Sequence, residues 1–185
     1  IGETYMLLKY GLGRQHEEIL EIFRSWRTTR LDSYLLDISV RVMEEYEEDK
    51  TPLVDRILDI AEQKGTGLWT VEEALRRGVY MPTVYEAVAA RSFSGKKPIR
   101  VRGAKILPFR KPDAVCQEEK DLDEETIERA LELAVLLSYS QGYELIKKAS
   151  EENGWGIDLS VLADVWSDGC IIRGEILKEI KAAGP

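Results

Sequence analysis

What the chain has least of narrows its chemistry first. Its 185 residues include one histidine and two cysteines. Two cysteines are too few for a disulfide scaffold. The opening Ile1-Gly2-Glu3-Thr4-Tyr5 lacks the charged flank, apolar stretch and cleavage site of a signal peptide, so Cys116 and Cys170 read as reduced thiols of a cytosolic protein. His16 stands among Gln15, Glu17 and Glu18 with no nucleophile or metal partner beside it, and reads as a surface residue. Basic residues do not dominate. A net charge of −8 argues against a nucleic-acid partner, while leaving room for a small basic pocket that takes one phosphorylated metabolite. No apolar run approaches the roughly 20 residues that span a bilayer, so no membrane partner is expected. Sustained period-two alternation and internal repeats are also missing.

What is present is a well-charged globular chain, 44% apolar and 32% charged, expected as a single domain over residues 1–185. The apolar spacing predicts an all-α fold of many helices with one long central helix. The chain opens inside a helical pattern with no capping residue ahead of Ile1, which reads as a piece of a longer protein. Ile19, Leu20, Ile22, Phe23 and Trp26 form the stripe of a second helix behind Glu17 and Glu18, where the macrodipole favours acidic residues. A third is expected from Leu31 to Glu48, with Leu35, Ile38, Val42 and Met43 on its buried face and the run Glu44 to Asp49 solvated. Consecutive carboxylates on a helix point in different directions, so that run is not read as a metal site.

Pro52 predicts a helix through Leu53, Ile57 and Ile60 to the break Lys64-Gly65-Thr66-Gly67. Thr70 with Glu73 reads as a capping box, with Ala74 and Leu75 buried and Gly78 as the stop. Pro82 starts another helix that carries Val84, Ala87, Val88 and Arg91. From Gly95 to Pro112 the pattern gives way to a proline-bearing loop with room for a short strand at Ile99-Arg100-Val101. Its cations, Lys96 to Lys111, read as a solvated surface, with substrate steering as the sharper alternative. Asp121 with Glu124 opens the longest helix, which Asn153-Gly154 closes after about 45 Å. Small residues on it (Ser138, Gly142, Ala149) allow close helix approach. Helices over 159–166 and 170–183 complete the chain. Trp26, Trp69, Trp155 and Trp166 are expected in the core, and Cys170 as a packed small hydrophobe.

The break after Pro52 is where chemistry enters. Two glycines let the backbone turn and aim N–H groups at an anion, Lys64 adds a point charge, and Thr66 offers a hydroxyl. A helix follows, and its N-terminus attracts negative charge. The plainer alternative is a glycine-rich turn with Lys64 in solvent. Arg91 shares its helix face with Val84, Ala87 and Val88, and a planar guanidinium on an apolar face suits a phosphate; its alternative is pairing with a carboxylate.

The stretch Ile57-Leu58-Asp59-Ile60-Ala61-Glu62-Gln63-Lys64-Gly65-Thr66-Gly67-Leu68-Trp69 resembles the signature of decarboxylating 6-phosphogluconate dehydrogenases, where an aliphatic residue and an Asp lead into a K-G-T-G-x-W loop. Four more matches follow in the family's order: Leu31-Asp32-Ser33-Tyr34-Leu35, Glu86-Ala87-Val88 with Ala90-Arg91, Ser138-Tyr139-Ser140-Gln141-Gly142, and Gly169-Cys170-Ile171-Ile172-Arg173 after Trp166. The chain departs from the pattern at Glu62, at Leu68, and at Ser167-Asp168.

The resemblance implies the helical C-terminal domain of that family, incomplete at both ends. Such enzymes oxidise 6-phosphogluconate with NADP and release CO2 to give ribulose 5-phosphate, a step of the pentose phosphate pathway and of gluconate utilization. It implies that Lys64, Thr66 and Arg91 hold the substrate's phosphate, that the chain is part of a cytoplasmic homodimer, and that NADP is bound mainly by an N-terminal domain outside these residues. The family's base lysine, histidine–asparagine pair and acid glutamate would precede Ile1, so no catalytic residue is expected here and the 185 residues alone are expected to be inactive. A helical scaffold without catalysis and a related β-hydroxyacid dehydrogenase are the competing readings.

Overall fold

A computed structural model describes residues 1–61, 63–107 and 122–183. The described residues are helical, with no named strand and two isolated bridges, Ser33 to Gly174 and Tyr46 to Pro52. In order they form α1 (Gly2–Met6), continued by a wider turn over Leu7–Gly11, α2 (His16–Trp26), α3 (Tyr34–Met43), a single 3-10 turn (Leu53–Asp55), α4 (Thr66–Arg77), α5 (Pro82–Ser94), α6 (Lys97–Ile106), α7 (Glu124–Asn153), α8 (Leu159–Ser167) and α9 (Glu175–Ala183). The all-α expectation holds. No described helix is long and apolar enough to cross a membrane.

Packing divides the described chain into two compact units, one of residues 1–57, 122–133 and 160–183, the other of residues 58–107 (without 62) and 134–159. In the first unit α2 buries Ile19, Leu20, Phe23 and Trp26 against Leu36, Val40 and Met43 of α3, with Leu8 and Ile127 closing the cluster. The backbone N–H of Gln15 donates to Glu18 Oε2 at 2.7 Å, which satisfies a donor at the start of α2. Ser33 caps α3, its Oγ accepting from the Leu36 N–H at 3.3 Å. In the second unit the core is smaller: Ala74, Val79 and Met81, with Val84, Tyr85 and Leu145 packed against them. Buried Gln141 of α7 fastens α5 there, its Oε1 accepting from the Thr83 N–H at 3.2 Å and from Thr83 Oγ1 at 2.6 Å. Asp123 caps α7 by accepting from the Thr126 N–H at 2.8 Å; Asp121, expected to open that helix, lies outside the described residues, as do Cys116 and the part of the expected loop after Leu107.

Several expectations are corrected. Helix α3 is shorter than residues 31–48 and turned by one position: Leu36, Val40 and Met43 are buried, and Leu35 is exposed. Residues 53–60 are not helical beyond Asp55; near the end of this stretch the Asp59 carbonyl accepts from Ser94 and Arg100 instead of from a helical N–H. The segment expected as a loop with a strand at 99–101 is helix α6, with Pro98 in the first turn, where a missing N–H costs nothing. Helix α4 begins four residues ahead of the expected capping box, so Thr70 is interior and its Oγ1 bonds back to the Thr66 carbonyl at 3.0 Å. Ala74 is buried as expected, but Leu75 is exposed. The last helix begins at Glu175, not Cys170.

His16 is not a surface residue. It is 7% exposed, its Nε2 lies 2.8 Å from the carbonyl of Met43 at the end of α3, and its ring meets Tyr46 edge-on at 5.6 Å. Neighbours on a helix point about 100° apart, so flanking carboxylates do not decide where a side chain goes. Of the four tryptophans only Trp26 is a core residue; Trp69 and Trp155 are exposed by 64% and 60%, and Trp166 is half-buried.

Candidate anion site at the start of helix α4

The loop ahead of α4 is built around two glycines. Gly65 takes φ 91°, a conformation that strongly favours glycine, and caps the helix. The indole of Trp69, one turn on, lies across it, 3.9 Å from where a Cβ would stand. Gly67 sits in the first turn of α4 against Val88 of α5; a Cβ there would come within 3.0 Å of Val88 Cγ2. Helices α4 and α5 therefore touch at a point that only glycine permits without a shift. The α4 N-terminus leaves its first N–H groups without intrahelical partners and carries the positive end of the macrodipole.

Lys64 and Thr66 flank Gly65 and are exposed; Arg91 is also exposed, one turn along α5 from Val88. The Gln63 side chain brings the two segments together: its Nε2 donates to the Val88 carbonyl at 3.3 Å and to Ser92 Oγ. Lys64 thus follows directly on a residue tied to the two positions that bracket Arg91. Two cations, a hydroxyl and a helix N-terminus, carried on two segments that Gln63 ties together, are the ingredients of an anion site.

A second layer was not expected from the sequence as a group. Asp59 Oδ1 accepts from Lys97 Nζ, and its Oδ2 accepts from Arg100 Nη1 at 2.8 Å. Arg100 Nη2 also donates to the Asp59 carbonyl at 2.7 Å and the Ser94 carbonyl at 3.0 Å. Ser94 Oγ donates to the Asp59 carbonyl at 3.3 Å and accepts from the Ala61 N–H at 3.0 Å. Hydrogen bonds from Lys97 first, and Arg100 second, hold the Asp59 carboxyl well below the usual carboxylate range. The first turn of α6 has no acidic residue of its own, so Asp59 supplies the negative charge that its macrodipole and two cations call for. Lys97 and Arg100, expected as solvated loop cations, are engaged. The spacing of Lys97 and Arg100 (i, i+3) would have signalled one shared partner, had the segment been recognised as helix.

The first unit holds an open polar cavity of about 530 Å³ lined by Arg27, Asp37, Arg41, Arg173 and Lys178 among others. Asp37 already pairs there with Arg27 and Arg41 at 2.7 Å each, so those charges are largely answered within the protein. No group of three or more His, Cys, Asp or Glu among the described residues is arranged to hold a metal ion.

The chain is similar to known proteins over nearly its whole length. Residues 1–184 match the family described as 6-phosphogluconate dehydrogenase, C-terminal domain. The decarboxylating 6-phosphogluconate dehydrogenases of Staphylococcus epidermidis and Staphylococcus aureus are each 40% identical to the chain over 183 residues, which covers 99% of the chain and 39% of the relative. The structure superposes with a TM-score of 0.88 and 34% identity on Plasmodium falciparum 6-phosphogluconate dehydrogenase, over 98% of this chain and 39% of that one. That enzyme was solved in its apo form, with its cofactor NADP+ and with its substrate 6-phosphogluconate. The chain thus spans about two fifths of the length of these relatives.

Proposed function

The chain belongs to the 6-phosphogluconate dehydrogenase C-terminal domain family, and from that premise we propose that it works as part of an oxidoreductase that converts 6-phosphogluconate to ribulose 5-phosphate and CO2 with reduction of NADP. Its own contribution is a wall of the substrate site: Lys64, Thr66 and Arg91 take the phosphate. One observation carries this assignment. The glycine-capped start of α4 is held by Gln63 beside the turn of α5 that bears Arg91. A phosphate dianion placed there would meet backbone N–H groups, a lysine point charge and a guanidinium fork suited to two oxygens.

We place NADP mainly on residues outside this chain, a reading supported by the family resemblance and by the strand–turn–helix build of dinucleotide sites, and assign no catalytic residue within it. The chain's part in the reaction is to hold the end of the substrate that does not react, which fixes the position of the end that does. The reading includes a homodimer: Leu68, Trp69 and Leu75 of α4 and nearby Tyr80 are exposed large side chains, an unusual density for a solvated helix. A charged sugar acid does not cross a bilayer unaided, which supports a cytoplasmic location.

The test is kinetic. These residues replace the matching 183 of the S. epidermidis enzyme, and NADPH formation from 6-phosphogluconate is followed. Lys64→Met and Arg91→Met should each raise KM roughly ten- to a hundredfold, the scale of one charge-assisted hydrogen bond of about 1.5–3 kcal/mol. The phosphate keeps its charge throughout the reaction, so kcat should fall less. An unchanged KM in both variants would remove the assignment. Sedimentation of the chain at high concentration should show association, and a strict monomer would remove the dimer.

A further inference from the structure

The geometry points to Asp59 and Arg100 as positioning residues of the phosphate site: together they lock the segment that leads into Lys64 onto helices α5 and α6, and so set where the anion-binding loop stands.

The inference rests on the phosphate reading above and deepens it. The segment from Asp59 to Gln63 has little core of its own; flanking Ile57 and Leu58 are exposed by 55% and 62%. Apolar burial therefore does not hold it. Polar bonds do, and Arg100 supplies the largest share. Arg100 makes three of them, to the Asp59 carboxylate, the Asp59 carbonyl and the Ser94 carbonyl, using both terminal nitrogens. Ser94 returns the connection to Asp59 and Ala61, and Gln63 adds the contacts to Val88 and Ser92. The two ends of the segment are thus tied to α5 and α6, Gln63 to Val88 and Ser92 beside Arg91 in sequence, and Asp59 to Ser94 and Arg100. Lys64 is the first residue beyond these ties and has no ion-pair partner among the described residues. Its ammonium is left available for a ligand while the backbone beneath it is held. A lysine cannot perform the clamp that Arg100 performs, because three bonds to diverging carbonyl and carboxylate oxygens need a planar fork.

Asp59 touches no substrate in this arrangement; it acts through Lys64 and the α4 N-terminus. The consequence is a loss of affinity without loss of fold. Asp59 and Lys97 lie at the surface, and exposed pairs contribute little to global stability.

The experiment uses the whole 185-residue chain, 15N-labelled, titrated with 6-phosphogluconate while the amide resonances of Gly65 and Gly67 are followed. In the wild-type chain both should move, and gluconate without phosphate should not move them. Lys64→Met should weaken binding tenfold or more. Asp59→Asn and Arg100→Lys should each weaken it about two- to fivefold and shift the free Gly65 amide, with melting temperature nearly unchanged. The double variant should bind no more weakly than the worse single, because both remove one clamp. A wild-type chain whose glycine amides ignore the ligand, or a Lys64→Met chain that binds normally, overturns the phosphate reading. Weakening by Lys64→Met alongside wild-type binding in Asp59→Asn and Arg100→Lys overturns the positioning role alone. If Asp59→Asn melts early, Lys97→Met with Arg100→Lys decides the same question.

Discussion

Gly174 lies against Ser33, in an antiparallel bridge that joins the segment before α9 to the cap of α3. The Tyr34 N–H donates to the Arg173 carbonyl at 3.2 Å, the Glu175 N–H donates to the Asp32 carbonyl at 2.9 Å, and the Arg173 guanidinium sits 3.8 Å above the Tyr34 ring. Two fingerprints far apart in sequence, Leu31-Asp32-Ser33-Tyr34-Leu35 and Gly169-Cys170-Ile171-Ile172-Arg173, are therefore one structural clasp.

A Cβ at position 174 would stand 2.9 Å from Ser33 Cβ and 3.0 Å from the Asp32 carbonyl oxygen. Gly174→Ala should destabilise the chain by about 1–3 kcal/mol, as overpacking against backbone does. Ser33→Gly relieves only the first contact, so it should recover part of that loss. Denaturant unfolding of Gly174→Ala, Ser33→Gly and the double variant checks the order, and a Gly174→Ala chain as stable as wild type would contradict it.

Gly67 poses a balance between opposite effects. Alanine in the first turn of α4 gains helix propensity of about 1 kcal/mol, but its Cβ would press on Val88 Cγ2 at 3.0 Å. The sign of the coupling is the prediction. Gly67→Ala should be more favourable in a Val88→Ala background than in the wild-type chain, by about 0.5 kcal/mol or more, in a double-mutant cycle. Additive effects would mean that α4 and α5 do not meet there.

His16 closes the end of α3 through its contact with the Met43 carbonyl. His16→Phe keeps an aromatic ring near Tyr46 but leaves that carbonyl without its partner, and should cost about 1–3 kcal/mol. His16→Gln retains a donor and should cost less. Equal losses, measured by thermal unfolding at neutral pH, would assign the role of His16 to ring packing alone.

Acid should act through a set of surface carboxylates. Bonds from Thr51 lower Asp49, bonds from Lys97 and Arg100 lower Asp59, bonds from Thr126 lower Asp123, and bonds from Arg30 lower Glu179. A carboxyl lowered in the folded state stabilises it fully above the ordinary value, 3.8 for Asp and 4.5 for Glu, and that contribution is lost as pH falls from there towards the folded value. Melting temperature should therefore decline below about pH 4.5, and Asp123→Asn and Glu179→Gln should each flatten the decline. Identical slopes in all three proteins would exclude these groups as its source.

The helical class, the long α7, the core stripe of α2 and the stops at Gly78 and Asn153 were legible in the sequence, because each depends on local signals: a period near 3.6, or a glycine or asparagine at a boundary; Lys64, Thr66 and Arg91, the proposed phosphate residues, were singled out by the same kind of signal. What failed was whatever depends on a partner. In α3, Leu35-Ile38-Val42 and Leu36-Val40-Met43 are both apolar stripes, and only packing against α2 selects the second. His16 looked solvated beside its carboxylates until the end of α3 came to meet it. Residues 56–61 have the composition of a helix, yet Arg100 and Ser94 bind Asp59, and Ser94 the Ala61 N–H, from further along the chain. Pro98 looked like a breaker and is a helix start. Sequence by itself determined the helical class, most of the helices, and the glycine turn with its neighbouring cations on which the proposed anion site rests. Tertiary structure alone decided which face is buried and what holds the loop ahead of α4, because those outcomes rest on hydrogen bonds and contacts between residues far apart in the chain, some forty positions for Asp59 and Arg100, whose energies no local pattern contains.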